Sequence, residues 1–343
     1  MKKKYERNNI NQGDYKKDNK LINSLNFIDN KQNRISITLK EEKLIDFLFY
    51  SLQKQNIINR KSITKNNFYW TDKHEMIFKG SDGIESQSFR IELNRNDIYK
   101  YLKIYKDGFK KNIIELLLQL KTRTLRYITS IEKEVEHEGK LIKKTILEER
   151  DISPLRNSSV ILGEEYKNKV YATIDIEFVY LTLFSNDYSI LNMNIIKDLK
   201  SKYSLRFYQE ARKSITKKHY KFVSRSLENL NKFFNSNLPK QDMDRNLMRV
   251  KQEFLLKSIY TFDYSMKKNE NKEWIFIFSD IGNIDKNKNI LEYISTYEDY
   301  RLLTNELKNK FETEYETDFN NIMKNINEKE MKKIQSRTRH LQK

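Results

Sequence analysis

The sequence predicts a helix-rich α+β chain in which one order of elements is used twice. Three observations carry that prediction. Apolar spacing switches between a period of two and a period of 3.6 in the same order in both halves of the chain. The 21 Tyr, 19 Phe and 2 Trp among 343 residues supply enough large apolar surface for packed cores, although a third of the residues are charged. Seven Gly, two Pro and no Cys remove disulfide scaffolds, thiolate metal sites, cysteine nucleophiles and folds built on repeated glycine turns.

The elements follow in order. Residues 1–33 read as a flexible basic arm: seven basic and three acidic side chains fall in residues 1–20, and a short anchoring helix is expected around 21–27. Ile35, Ile37 and Leu39 alternate like a short strand. A helix then opens at Glu41 with Leu44, Ile45, Phe47, Leu48 and Leu52 on a broad apolar face, and Thr38 with Glu41 has the spacing of a capping box. Phe89, Ile91 and Leu93 alternate as a strand, Asn94 caps a helix that turns Ile98, Tyr101 and Leu102 inward, and Gly108 breaks it. A second helix carries Ile113, Leu116, Leu117 and Leu120 inward. Leu125, Tyr127, Thr129 and Ile131 continue as a strand, the polar loop EKEVEHEGK turns the chain, and a strand returns over 141–147. A strand over 170–176 and a helix over 177–185 complete this half, with a hinge at 187–193.

The second half repeats the plan. A long helix over 194–213 buries Ile195, Leu199, Tyr203 and Tyr208, and the next turns Leu227, Leu230, Phe233 and Phe234 inward. The break SNLP ends on Pro239, which suits the first position of a helix and not its interior. The following helix, KQDMDRNLMRVKQEFLLKSI, sets Met243, Leu247, Val250, Phe254 and Leu255 on one face. Residues 259–264 and 274–278 then alternate around MKKNENKE as a β-hairpin with a lysine-rich tip. Helix, turn, helix and two-stranded wing, twice over, predict two tandem winged-helix domains at 34–186 and 187–284. A charged helical tail occupies 285–343, with ten basic and nine acidic residues from 298 onward.

Several chemistries are excluded on the same reading. The N-terminus MKKKYERNNINQGDYKKDNK has no apolar core, so it is no secretory signal. The most apolar runs last about eight residues, far short of the roughly 20 that span a bilayer, which predicts a cytoplasmic protein with no membrane partner. His74, His137, His219 and His340 are scattered with no metal spacing, and no GxxxxGK[ST] loop occurs; Gly80 and Gly83 lie in the turn KGSDG. Tyr203 and Tyr208 could be imagined as nucleophiles of a nicking enzyme, but core packing is the better account of both. The pairs Glu148/Glu149 and Glu164/Glu165 have the spacing of solvated loops. No catalytic site, metal site or cofactor is expected.

The formal charge of +18 points instead to acidic partners. Residues 197–225 hold ten basic side chains (Lys197, Lys200, Lys202, Arg206, Arg212, Lys213, Lys217, Lys218, Lys221 and Arg225) against Asp198 and Glu210. A solvated helix face usually mixes signs, so this one-sided stretch predicts contact with nucleic acid. On the helix after Pro239, the side chains between the apolar anchors are Lys240, Gln241, Arg245, Asn246, Arg249, Lys251 and Gln252. Arg, Asn and Gln make bidentate contacts to base edges, whereas Lys mainly neutralises phosphate. The equivalent helix of the first half offers Lys110, Lys111 and Asn112 at its start and Lys121, Thr122, Arg123 and Arg126 at its end. Its wing tip, with Glu132, Glu134, Glu136 and Glu138, should be repelled by a phosphate backbone.

The stretch DYSILNMNIIKDLKSKYSLRFYQEARK, with Ser201, Lys202, Tyr203, Arg206 and Tyr208, resembles the signature of the Rep_3 family of plasmid replication initiators. The helix QDMDRNLMRVKQEFLLKSI followed by YSMKKNENKEWIFIF is similar to that family's recognition helix and wing. FRIELNRNDIYKYL and KNIIELLLQLKTRTLRYI fit the first domain more loosely. The resemblance covers roughly residues 35–280. It implies an initiator without enzymatic activity that binds direct repeats (iterons) of double-stranded origin DNA as a monomer. It further implies dimerisation through the first domain with repression of its own gene, and recruitment of the host initiator and replicative helicase. Carried onto this sequence, it assigns base readout to Arg245, Asn246 and Arg249, and phosphate contact to Lys202, Arg206, Lys240, Lys267 and Lys268. A winged-helix transcriptional regulator at operator DNA is the competing reading.

Overall fold

The computed structural model describes residues 13–23, 26–28, 34–59, 63–71, 75–104, 109–137, 140–161, 169–216, 224–257 and 259–283. The expected tail at 285–343 lies outside them. The chain is an α+β protein, and its described residues form two compact units. Residues up to 216 together with 230–237 make the first, and 224–229 with 238–283 make the second.

The first unit opens with β1 (Asp14–Asp18), α1 (Asn19–Asn23), β2 (Asn26–Ile28) and β3 (Arg34–Ile35), followed by α2 (Leu39–Asn59). Leu44, Ile45, Phe47, Leu48, Phe49, Tyr50 and Leu52 are all buried. A helix apolar on nearly every side belongs at the centre of a core, and α2 is that helix. Its start is the expected capping box: the Thr38 N–H donates to Glu41 Oε2 at 2.7 Å and the Glu41 N–H to Thr38 Oγ1 at 3.2 Å. Burial alone would raise the Glu41 carboxyl, but the bonds from Thr38 and Arg123 hold it below the ordinary glutamate value.

β4 (Phe68–Trp70), β5 (Met76–Lys79) and β6 (Glu85–Ser86) form a small antiparallel sheet. β7 (Ser88–Leu93) leads to α3 (Arg95–Asp97), capped by the Asn94 side chain as expected and continued by a π-helical turn over Ile98–Leu102. α4 (Phe109–Lys121) buries Ile113, Leu116, Leu117 and Leu120. β8 (Thr124–His137) and β9 (Lys140–Ile152) pair along their whole length, so the expected polar loop at 132–140 is mostly strand. β10 (Asn157–Ile161), β11 (Lys169–Asp175) and β7 make a three-stranded sheet, and α5 (Ile176–Phe184) follows, capped by Asp175. Arg150 Nε lies 3.0 Å from Glu177 Oε1, and the Tyr127 hydroxyl donates to the same oxygen, which ties the hairpin base to α5.

Two further expectations give way here. The hinge at 187–193 is β12 (Tyr188–Asn192), and it pairs antiparallel with β1 from Asp14↔Asn192 to Asp18↔Tyr188. The flexible arm is therefore corrected for residues 13–23 and 26–28: Tyr15, Lys17, Leu21, Ile22 and Phe27 are core residues. Gly13 enters β1 at φ +103°, and a Cβ there would meet Asn194 Nδ2 at 2.5 Å. The long helix over 194–213 is two pieces, α6 (Met193–Ile196) and α7 (Lys202–Thr216), and α7 packs on α2, β12 and α1. Residues 187–216 thus pack with the first unit.

The second unit contains β13 (Ser224–Ser226), the first three residues of α8 (Leu227–Phe234), α9 (Lys240–Leu256), β14 (Tyr260–Lys268) and β15 (Trp274–Asn283). β13 adds to the expected hairpin, giving the sheet order β13-β15-β14. Met243, Leu247, Val250, Phe254 and Leu255 of α9 are buried, with Phe262, Phe276 and Phe278 from the sheet.

Candidate nucleic-acid interface

In the second unit, α9 begins directly after Pro239, whose φ of −66° suits the entry to a helix. Opposite its core face it exposes Gln241, Arg245 and Arg249, at spacings of four that form one stripe. Arg245 is 62% exposed and Nη1 meets Asp242 Oδ1 at 3.0 Å. An exposed pair of this kind is worth about 0–1 kcal/mol, so the guanidinium can exchange it for another acceptor. Arg249 makes no hydrogen bond or ion pair among the described residues. Asn246 is less free: its Nδ2 donates to the Asp242 carbonyl at 2.8 Å.

The flanks of α9 fasten it to the hairpin. The Tyr264 hydroxyl donates to Asp244 Oδ1 at 2.6 Å, and Lys251 Nζ lies 2.6 Å from Asp263 Oδ1. Lys251, expected among the exposed side chains, is buried in that contact. Near the hairpin tip, Lys268 stands opposite Trp274 and Lys267 opposite Ile275. The tip itself is held by Asn269, whose Oδ1 accepts the Glu273 N–H at 2.8 Å, with Lys272 at φ +61°. The Lys240 ammonium lies 4.6 Å from the centre of the Trp274 ring and that of Lys268 lies 5.3 Å from it. In the sequence Trp274 is one alternating residue of a strand, and nothing local links it to Lys240.

Charge in this unit is segregated, not in surplus. Its described residues include nine basic and eight acidic side chains. Asp244, Asp263 and Glu253 are taken up by Tyr264, Lys251 and Lys257, while Lys240, Arg249, Lys267 and Lys268 have no acidic partner among the described residues.

The remaining expected contacts lie in the first unit, and several are corrected. Arg206 is 0% exposed: Nε donates to Glu42 Oε1 at 2.6 Å and Nη1 to the Phe233 carbonyl at 2.9 Å. It has no surface to offer a phosphate. Burial pushes the Glu42 carboxyl up, and the Arg206 guanidinium opposes that rise. Lys202 is half-buried, its ammonium donating at 3.1 Å to Ser36 Oγ and to the Asn235 carbonyl. Arg123 Nε is 2.8 Å from Glu41 Oε1, and Arg126 makes a bidentate pair with Asp151 at 2.8 and 2.9 Å. Burial takes Arg206 out of the expected contacts, whereas Lys202, Arg123 and Arg126 hold acceptors within the first unit. Lys111 is exposed at the start of α4. The side chain of Lys110, and all of Lys217 and Lys218, lie outside the described residues.

No helix among the described residues is long and apolar enough to cross a membrane. No family model matches the chain, and no curated protein matches it. Among solved structures it is similar to the crystal structure of RctB domains 2-3, at 11% identity and TM-score 0.40, over 74% of this chain and 86% of that one. A structure of SeMet derivatives of the same two RctB domains is similar at 10% identity and TM-score 0.39, over 75% and 86%.

Proposed function

We propose that this chain is a DNA-binding replication initiator whose second unit works as a winged helix. In this reading α9 lies in the major groove of double-stranded origin repeats and the β14–β15 hairpin lies along the phosphate backbone. The observation that carries the reading is the exposed stripe Gln241, Arg245 and Arg249, with Lys240 at the start of the same helix and Lys267 and Lys268 at the end of β14, on a helix fastened to its hairpin by the Tyr264–Asp244 and Lys251–Asp263 contacts. Base-reading side chains on a rigid element flanked by phosphate-neutralising ones are what sequence-specific duplex binding requires. Initiation rather than regulation rests on the Rep_3 resemblance over 187–278. Self-association through the first unit and recruitment of the host initiator and replicative helicase belong to the same proposal, as does a cytoplasmic, DNA-associated location.

The proposal includes no enzymatic activity. Tyr208 is buried, with its hydroxyl accepting the Asn192 N–H at 3.1 Å, and Tyr203 packs on Phe234. Purified protein incubated with supercoiled origin DNA and magnesium or manganese should give no nicked product; a covalent tyrosyl adduct would overturn this part.

The main test measures affinity for duplexes carrying the repeats that flank the gene, against random duplexes, at several salt concentrations. Tight, salt-dependent binding with a large preference for the repeats is expected. Equal affinity for both would sink the reading of α9. A plasmid carrying the gene and its flanking repeats should replicate autonomously, and dispensability of the gene for maintenance would favour the operator-binding regulator.

A further inference from the structure

We infer that Trp274 is a positioning residue of the DNA interface: its indole holds the Lys240 and Lys268 ammonium groups as a pair. The inference rests on the proposed function and names a device within it. Lys240 is the first residue of α9 and Lys268 the last of β14, so the two cations stand 28 residues apart in sequence, on two successive elements. Each lies within 5.3 Å of one ring centre, which keeps the two within about 10 Å of each other. Neither has an acidic partner among the described residues that would hold it otherwise. Two lysines with long flexible stems would normally pay rotamer entropy when they settle on phosphates. An aromatic ring that attracts both reduces that cost before DNA arrives, without neutralising either charge. Trp274 sits directly opposite Lys268 in the hairpin register, so its position is fixed by the sheet rather than by a loop.

The arrangement also explains how helix and hairpin can address one backbone together. The Asp244–Tyr264 and Lys251–Asp263 contacts set the distance between α9 and β14, and the Trp274 ring then places one cation from each element at the same edge of the unit. Removing the ring should leave the helix and sheet in place but release both ammonium groups.

The test compares the full-length wild type with Trp274→Ala and Trp274→Phe, together with the paired variant Lys240→Ala/Lys268→Ala, on repeat and random duplexes over a range of salt. The double lysine variant should lower the slope of log affinity against log salt by about two units, since each phosphate contact contributes about 0.9. Trp274→Ala should weaken binding about tenfold on repeat and random DNA alike and reduce the slope in the same sense. Trp274→Phe, which keeps an aromatic face, should restore slope and affinity to within about threefold of wild type. Far-UV circular dichroism and thermal melting identify any variant that fails to fold, and Trp274→Phe keeps the comparison interpretable if the alanine variant does. Wild-type slope and affinity in folded Trp274→Ala, or failure of Trp274→Phe to restore them, would overturn the inference while leaving the DNA-binding reading intact. A wild-type chain that binds no duplex would instead overturn the proposed function, and this inference with it.

Discussion

Helices α7 and α9 both carry cationic side chains between apolar anchors, and they use them in opposite ways. On α7, Arg206 is sealed against Glu42 and Phe233, Lys213 is buried, and the Arg212 Nε donates to the Ile190 carbonyl at 2.8 Å. On α9, Arg245 and Arg249 face solvent. The difference lies in what each helix packs against. α7 lies on α2, which carries Glu42 and Asp46 one turn apart; Asp46 is satisfied in turn by Lys17 Nζ at 2.7 Å and Gln209 Nε2 at 2.9 Å. α9 packs on a hairpin whose inner face is phenylalanine and tyrosine, so only its flanks find acidic or hydroxyl partners. A helix keeps its cations at the surface when its neighbour is apolar enough to leave the charges outside.

That contrast can be broken most sharply at Arg206. Arg206→Ala should destabilise the protein by about 3–5 kcal/mol, because it leaves Glu42 buried without its counter-ion, and Arg206→Met with Glu42→Leu should recover most of the loss. Urea unfolding followed by circular dichroism reads both. A small stability change accompanied by a lower DNA salt slope would return α7 to the interface. Arg249→Ala should do the reverse. It should leave the unfolding midpoint unchanged, weaken binding to repeat DNA by about 1–3 kcal/mol, and relax preference at one base pair. Equal losses on repeat and random duplexes would argue against base readout there.

Smaller effects sharpen the same division. Thr38→Ala removes half of the capping box that starts the acid-bearing α2, at a cost of about 1 kcal/mol in thermal or urea stability. Glu41 titrates below its ordinary value in the fold, so its contribution to stability is in place above about pH 4.5 and is lost as pH falls through the lower folded value. Glu41→Gln should therefore flatten the fall in stability on that acid limb, and an unchanged limb would show that the carboxylate bonds seen here carry no linkage. Lys267→Ala should weaken binding to every duplex alike and lower the salt slope by about one unit. Arg126→Ala, on the structural side of the division, should change neither DNA affinity nor salt slope; a lower slope would place the first unit's hairpin on the backbone.

Much of the fold follows rules that act over one turn of chain. The Thr38–Glu41 box, the Asn94 cap, the inward faces of α4 and α9 and the β14–β15 hairpin are all set by residues within a few positions of one another. The stripe on α9 was legible for the same reason: between apolar anchors spaced at 3.6, positions on the opposite side such as 241, 245 and 249 face outward, whereas Lys251 on the flank is buried against the hairpin. The misread regions depend on distant partners. Residues 187–193 look like a hinge until β1 arrives, and residues 13–23 look like an arm until β12 and α2 cover them. The run Ser201, Lys202, Tyr203, Arg206 and Tyr208 carries the resemblance to replication initiators, yet three of its side chains are tied to internal partners: Lys202 to Ser36, Arg206 to Glu42 and Tyr208 to Asn192. In this chain those side chains pack within the first unit.

By itself, then, the sequence determined the elements with strong local patterns, such as α4, α9 and the β14–β15 hairpin, and the caps of α2 and α3, because periodicity and capping are local properties of the chain. Tertiary structure alone decided which of the many cations are taken into the core and which stay at the surface. Arg206 and Glu42 lie 164 residues apart, as no local rule could foresee. A buried charge survives only beside such a counter-charge, whereas an exposed one needs none.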